Sequence, residues 1–481
     1  MSESTGARDH ANVAPALQWG LTAGCGLLIA GLIILAARGD LWLDEIWSYH
    51  FARQAESALD LVTRFKHDNN HLLNTLYLYL IGDMSRPILI RLPAILAGIG
   101  SLVMLARSAR QKWGPAEAIV SVLLVGTSFP LVLYFSEARG YGPAIFFALC
   151  AYGVLIRNME SPQKHRLVVY WMASTLGLLA HSTFAMVSAA LVLMHINFII
   201  TADGPWKDRL QACIVHQLPP LVFAGCWYLL FIRDMAIGGG PIYGQQAVIF
   251  RAASYALGFP DSFPFGLLAV MAILAVVCGG TISLYREKNP QWIFFPAVLL
   301  AAPALVLLAM RPTYLYFRYF IVIFPFFYVL LAYTLCRCYR ALPKPYKLLL
   351  GLAVLVMLSG QASRIHPLLV LGRGGYTAAL QYLEKNSPQP EIKLGSDHDF
   401  RTTLLLQFYA PFVMKHKTLR YIRSADWQRE KPDWFFTHSQ QPRYRPPLHL
   451  RLHNVGRYHL VAQFRYAGIS GWHWFLYRRQ R

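Results

Sequence analysis

Charge is what this chain has least of. Only 14% of its 481 residues are Asp, Glu, Lys or Arg, and just 24 of them are acidic against 45 basic. Soluble domains carry about 25% charged residues and about 45–50% apolar ones. At 56% hydrophobic, this chain falls outside that class. Cysteine is equally uninformative as chemistry. The seven cysteines all precede residue 363 in no cluster of metal-ligand spacing, and Cys336-Arg-Cys338 ends an apolar run beside Arg340. The first apolar stretch, residues 17–37, is too long for a cleaved leader and has no small-residue cleavage site, so it reads as an uncleaved span behind a polar tail, 1–16.

What is present is a succession of membrane-length apolar blocks. After 17–37 they fall near 88–106, 116–135, 142–156, 167–180, 184–200, 212–232, 263–284, 291–309, 318–335 and 347–362, with a shorter block at His71–Ile81. The expected fold is therefore an all-α polytopic membrane body over 17–362, with about 11–12 transmembrane helices. The tail, 363–481, differs: it holds 19 basic and 7 acidic residues, so it contributes over half of the net +21. Its alternating segments EIKLGSD, LRYIR and PDWFFTH, two helical stretches and a closing hairpin over 458–481 predict a small α/β domain. Behind a membrane body, such basicity points to anionic lipid or phosphorylated glycan rather than nucleic acid.

Short basic loops (Arg107 to Lys112, Arg157 to Arg166, Lys207 with Arg209, Arg286 with Lys288, Arg337 to Lys347) all fall inside if the N-terminus is inside and His71–Ile81 does not cross. That arrangement makes the C-terminal domain external and leaves three external segments: 38–70, the turn around Glu137–Tyr141, and 233–262. In the first, Phe51, Ala55, Leu59, Val62 and Phe65 recur at helical spacing and predict a helix lying on the membrane surface. Gly238–Gly240 and PIYGQQ read as a flexible external loop able to cover a site.

External carboxylates are few, which singles out Asp44 and Glu45 just past the first span, in LWLDEIWSYHF. The plainer role for that segment is an interfacial loop anchored by Trp42 and Trp47. Arg91, Arg139, Arg311 and Arg318 are the candidate anion binders; a planar, permanently charged fork suits phosphate. Arg91 and Arg318 precede apolar runs, where an idle charge is costly, although snorkelling at a span end is the competing role. Arg139 is positioned to pair with Glu137. His71 and His181, at external helix starts or turns, are either ligand contacts or bonded structural histidines.

An acidic pair after the first span, followed in order by DNNHLLNTLYLYLIG, RLPAILAGIGSLVML, SEARGYGPAIFFAL, LLAHSTFAMVSAALVL and YFRYFIVIFPFFYVLLA, resembles the GT-C superfamily of integral-membrane glycosyltransferases. The branch it is most similar to is that of the aminoarabinose transferases and protein O-mannosyltransferases. Leu72 and Leu73 stand where that family often has prolines. The resemblance implies a GT-C fold in the bacterial inner membrane and a polyprenyl-phosphate sugar donor. It also implies a lipid-linked glycan, lipid A-type or protein acceptor, with inverting transfer at the outer face. Asp44 would be the base and Glu45 an orienting acid, and these two would hold a divalent metal ion if the reaction uses one. His71, Arg91, Glu137, Arg139, Tyr141, His181, Arg311, Arg318 and Tyr319 would contact substrate. A leaving phosphate needs no general acid, so one base suffices, unlike the two carboxylates of glycosidases. A transporter or flippase of lipid-linked glycans, or a membrane scaffold with a sensor domain, are the rival classes.

Overall fold

The computed structural model describes residues 15–201, 203–310, 312–441 and 443–480. All eleven apolar blocks are helical, but they are not eleven equal spans. Among the described residues, nine helices are long and apolar enough to cross a membrane. The block 116–135 is instead two helices, Pro115–Gly126 and Phe129–Phe135, bent by 70°. Pro130 explains the break, because it has no N–H to continue the first ladder and sits comfortably in the first turn of the second. Lys164–Ala180 has 17 residues, and Leu72–Ile81 has 10. At about 1.5 Å per residue, the latter reaches roughly half of a bilayer core.

The surface helix expected from Phe51 to Phe65 is interrupted. Leu43–Gln54 is helical, then Asp60 accepts the N–H groups of Glu56 at 2.8 Å and Ser57 at 3.3 Å, closing a turn before the short helix Asp60–Thr63. The apolar spacing still has consequences: Phe51, Leu61 and Phe65 pack together, whereas Leu59 is exposed. Beyond them the chain pairs with the segment 233–262. The Asp68 N–H donates to the Ala236 carbonyl and the Ala236 N–H to the Lys66 carbonyl, both at 2.9 Å.

The last long helix runs Lys344–Leu371, past Ser363, and ends at Gly372, whose φ of +62° favours glycine. Helix Tyr376–Asn386 follows, then a six-stranded sheet: β1 Glu391–Ser396, β2 Thr418–Tyr421, β3 Trp434–Ser439, β4 His449–Leu452, β5 Gly456–Phe464 and β6 His473–Arg479. The order is β2-β1-β3-β6-β5-β4, with β1 parallel to β2 and β3 and the other pairs antiparallel. Helix Asp399–Val413 crosses between β1 and β2. This domain does not stand apart from the membrane body. Trp42, Ile46 and Tyr49 of the segment 38–70 share one apolar cluster with Leu380, Leu405 and Trp474 of the sheet domain. The Tyr409 hydroxyl adds a 2.8 Å bond to the Leu41 carbonyl. The segment that carries Asp44 is therefore packed from below by the spans and from above by the sheet domain.

Candidate active site

At the start of helix Leu43–Gln54 the Trp42 N–H donates to Glu45 Oε2 at 3.1 Å, the backward half of a capping box, which holds Glu45 in the first turn with Asp44 beside it. Glu45 is completely buried. Its carboxylate takes Arg91 in a two-pronged pair, Nε to Oε1 at 2.7 Å and Nη2 to Oε2 at 2.6 Å, and accepts the Ala138 N–H at 2.8 Å. Burial alone would raise this carboxyl; Arg91 outweighs it and holds Glu45 below its ordinary value. Arg91 donates its remaining protons to the carbonyls of Ala37, Gly39 and Asp40 at 2.9, 2.6 and 2.9 Å. All five guanidinium N–H groups are thus occupied within the protein.

Glu137 belongs to a second such closure. Its buried carboxylate meets Arg373 at 3.1 Å, and Arg373 also bonds the carbonyls of Ala36, Leu133 and Ser136 and the Ser136 hydroxyl at 2.9–3.2 Å. Burial leaves Glu137 above its ordinary value. The expected Glu137–Arg139 pairing is replaced. Arg139 turns to Asp44, at 3.0 Å, because Arg373 already fills the space beside Glu137.

Asp44 is the acid left facing open space. Its side chain is 16% exposed and lines a cavity of about 680 Å³. Arg139 fixes it, lying 5.5 Å from the Trp42 ring centre and 5.0 Å from that of Tyr141, with Nη2 bonded to Asn69 Oδ1 at 3.3 Å. Asn69 closes the loop by donating to the Asp44 carbonyl at 2.8 Å. Gly140 permits this packing, since a Cβ there would lie 1.8 Å from the Ala180 carbonyl oxygen. Beside Tyr141, His71 and His181 stack with ring centres 4.7 Å apart. Burial, reinforced by Arg139 and Arg318 and, for His71, by His181, holds both below the ordinary histidine range, His181 at about 3, so both rings are neutral near pH 7. His71 Nε2 is buried without a partner.

Arg318 reaches the same cavity from the start of the span Phe317–Ala341, in its opening 3₁₀ turn Phe317–Ile323. It lies 4.1 Å over the Tyr316 ring and 5.9 Å from that of Tyr319. Its Nε has no hydrogen-bond partner, and no carboxylate among the described residues is within ion-pair distance. Gly240, Pro241 and Tyr243 of the segment 233–262 line the cavity as well. So do His398, Arg401 and Trp472 of the sheet domain, which the sequence did not single out. Arg373 was missed too, although it follows a span end much as Arg91 precedes one. Asn69 offered no signal. Arg311 lies outside the described residues.

The structure therefore sorts the candidates. Asp44 and Arg318 line the cavity, Tyr319 lies beside Arg318, and Arg139, Tyr141, His71 and His181 are buried in a chain of contacts leading back from Asp44. Glu45, Arg91 and Glu137 sit in buried ion pairs. A divalent metal does not fit the Asp44–Glu45 pair, because Arg91 already binds both oxygens of Glu45. Among the described residues, no three His, Cys, Asp or Glu side chains converge on one point.

A helical membrane body joined to a C-terminal six-stranded sheet is a fold that matches solved GT-C glycosyltransferases. The chain is similar along nearly its whole length to ArnT from Cupriavidus metallidurans, with a TM-score of 0.55 at 14% identity over 96% of this chain and 98% of that one. Against ArnT bound to undecaprenyl phosphate, the TM-score is 0.52 at 13% identity and the same coverage. The Archaeoglobus fulgidus oligosaccharyltransferase tethered with an acceptor peptide gives 0.52 at 10% identity, over 85% of this chain and 64% of that one. No family sequence model and no curated protein matches the sequence.

Proposed function

We propose that this protein is an inverting membrane glycosyltransferase that moves a sugar from a polyprenyl-phosphate donor to an acceptor hydroxyl on a lipid, glycan or protein. The observation that carries the reading is that Asp44, a carboxylate with an exposed edge, and Arg318, a guanidinium with no carboxylate within ion-pair distance, open onto the same cavity beside the membrane spans. The two neighbours named above add the fold, and one of them was solved with undecaprenyl phosphate.

In this reading the acceptor hydroxyl gives its proton to Asp44 as its oxygen attacks the anomeric carbon. The bond from that carbon to the phosphate oxygen breaks, and polyprenyl phosphate leaves with the electron pair. Arg318 stabilises the charge growing on the leaving phosphate. Arg139 and Asn69 aim the Asp44 carboxylate. Arg91–Glu45 and Arg373–Glu137 hold the backbone on which it sits and touch no substrate. The neutral His71 and His181 rings stack beside Tyr141, behind the Asp44–Arg139 pair, and back that side of the site. The short basic loops support an N-terminus inside and a reaction at the outer face of the bacterial inner membrane.

Purified protein in lipid vesicles, offered a panel of labelled undecaprenyl-phosphate sugars, should release undecaprenyl phosphate from at least one of them. Release should depend on both Asp44 and Arg318. If no donor in the panel turns over, or if turnover is indifferent to Asp44→Asn, the reading fails.

A further inference from the structure

We infer that the acceptor is acidic: a glycan carrying phosphate or carboxylate groups, held by Arg364 and Arg401. This rests on the transferase reading and specifies its second substrate. The cavity is lined by two acids, and each already has a cation: Asp44 is paired with Arg139 at 3.0 Å and Asp261 with Arg251 at 2.8 Å. Three further guanidiniums line it with no carboxylate in ion-pair range among the described residues, namely Arg318, Arg364 and Arg401. One of them suffices for a donor phosphate. The other two remain as half-buried cations with no carboxylate within ion-pair distance, Asp261 and Asp397 acting on them only from farther off, so a ligand anion finds them unpaired.

Both are also built to stay in place. Arg401 lies 4.1 Å over the Trp472 ring, and Arg364 4.8 Å over that of Tyr255. Such stacking fixes the plane of the fork and leaves its edge free for an oxyanion. Arg401 Nε and Arg364 Nη1 are buried with no hydrogen-bond partner, while Arg364 Nη2 is tethered to the Phe259 carbonyl. Position argues for the acceptor rather than the donor. Arg401, with its neighbours His398 and Trp472, belongs to the sheet domain outside the spans, whereas a prenyl chain must lie among them; Arg364, on the last two turns of helix Lys344–Leu371, meets the cavity from the membrane body and faces the same space. The aromatic ring beside a cation is a surface suited to a charged sugar, with the ring taking its apolar face.

Binding is measured on detergent-solubilised full-length protein, without turnover, using glucose 6-phosphate, glucuronic acid and glucose as probes. The two anionic probes should bind at least about tenfold more tightly than glucose, in proportion to a charge-assisted arginine contact. The better of the two identifies phosphate or carboxylate as the recognised group. Arg364→Gln with Arg401→Gln should bring the anionic probes down to the level of glucose, with the affinity for undecaprenyl phosphate retained. The pair Arg364→Lys with Arg401→Lys, which keeps charge and loses the fork, should fall between. The inference is overturned if the anionic probes bind no better than glucose, or if the Gln and Lys pairs, folded by their thermal midpoints, bind them as wild type does. It is overturned equally if the Gln pair loses undecaprenyl phosphate, which would place both arginines on the donor. Failure of all donors to turn over would defeat the transferase reading while leaving this binding result intact.

Discussion

Arg91 and Arg318 look alike in sequence, each standing before an apolar run, yet the fold treats them oppositely. Arg91 has no exposed surface, and all five of its N–H groups meet Glu45 or the carbonyls of Ala37, Gly39 and Asp40. Arg318 opens onto the cavity with Nε unbonded and no carboxylate beside it. The same contrast separates adjacent acids, since Glu45 is enclosed by donors while Asp44 keeps an exposed edge. In a membrane protein every charge is expensive, so expense alone does not mark chemistry. What marks it is the donors and acceptors left over once the protein has satisfied its own.

The sharpest way to break that contrast is to neutralise the two acids separately. Asp44→Asn keeps the shape and cannot accept the proton, so turnover should fall about 10²–10⁴-fold, the usual effect of losing a general base. Undecaprenyl phosphate binding should change little. Glu45→Gln should instead damage the fold, because breaking a buried pair from one side costs about 3–5 kcal/mol. Its thermal midpoint and abundance should drop before any defect in turnover per folded molecule appears. A well-folded but inactive Glu45→Gln protein, next to an active Asp44→Asn one, would move the base by one residue and dissolve the distinction.

Much of this was readable before the structure, and the rest was not for identifiable reasons. Asp44 emerged because external carboxylates are scarce. The eleven helical blocks emerged from apolar length, and Pro130 explains why one of them is bent rather than straight. Strands β1, β2 and β3 were legible as short segments, but their parallel pairing was not, and neither was β4, whose four residues sit behind Pro446 and Pro447. Partner choice was invisible. Whether Arg139 pairs with Glu137 two residues away or with Asp44 in another segment depends on Arg373, which arrives from the far end of the membrane body. No local pattern encodes a competition among three segments.

The histidines give a test of intermediate size. His181 is held at about 3 when folded and returns to about 6.5 when unfolded. Between those values the unfolded chain binds more protons, so stability is intact above about pH 6.5 and is lost as pH falls towards 3. Going from pH 7 to pH 5 should cost about 2 kcal/mol through His181 alone. The thermal midpoint should drop accordingly, and His181→Asn should show a shallower pH slope. An identical slope would mean that the ring does not stay neutral in the folded protein. A smaller effect is expected for Arg318→Lys, which retains the charge but loses the fork: turnover down about tenfold with an unchanged thermal midpoint. Equal turnover would reduce Arg318 to a charged anchor at a span end.

The smallest effect probes how the sheet domain is joined to the closed side of the contrast. Asp40 lies in the segment leading to Asp44, and its carboxylate accepts both the Thr377 N–H and the Thr377 hydroxyl at 2.8 Å. It thereby supplies, from the membrane body, a partner for the first turn of helix Tyr376–Asn386 in the sheet domain. Burial raises this carboxyl above its ordinary value, and the Thr377 bonds with the nearby Arg91 oppose the rise. Thr377→Val keeps the backbone bond and the side-chain shape and removes one hydrogen bond, so stability should fall by about 1 kcal/mol. Denaturant or thermal unfolding of the purified protein measures that loss. A drop of several kcal/mol would show that Asp40 and Thr377 belong with Arg91–Glu45 as a contact the fold cannot lose. No drop would show that apolar packing of Trp42 and Ile46 against Leu380 and Trp474 joins the two parts unaided, with Asp40 contributing nothing the cluster does not already fix.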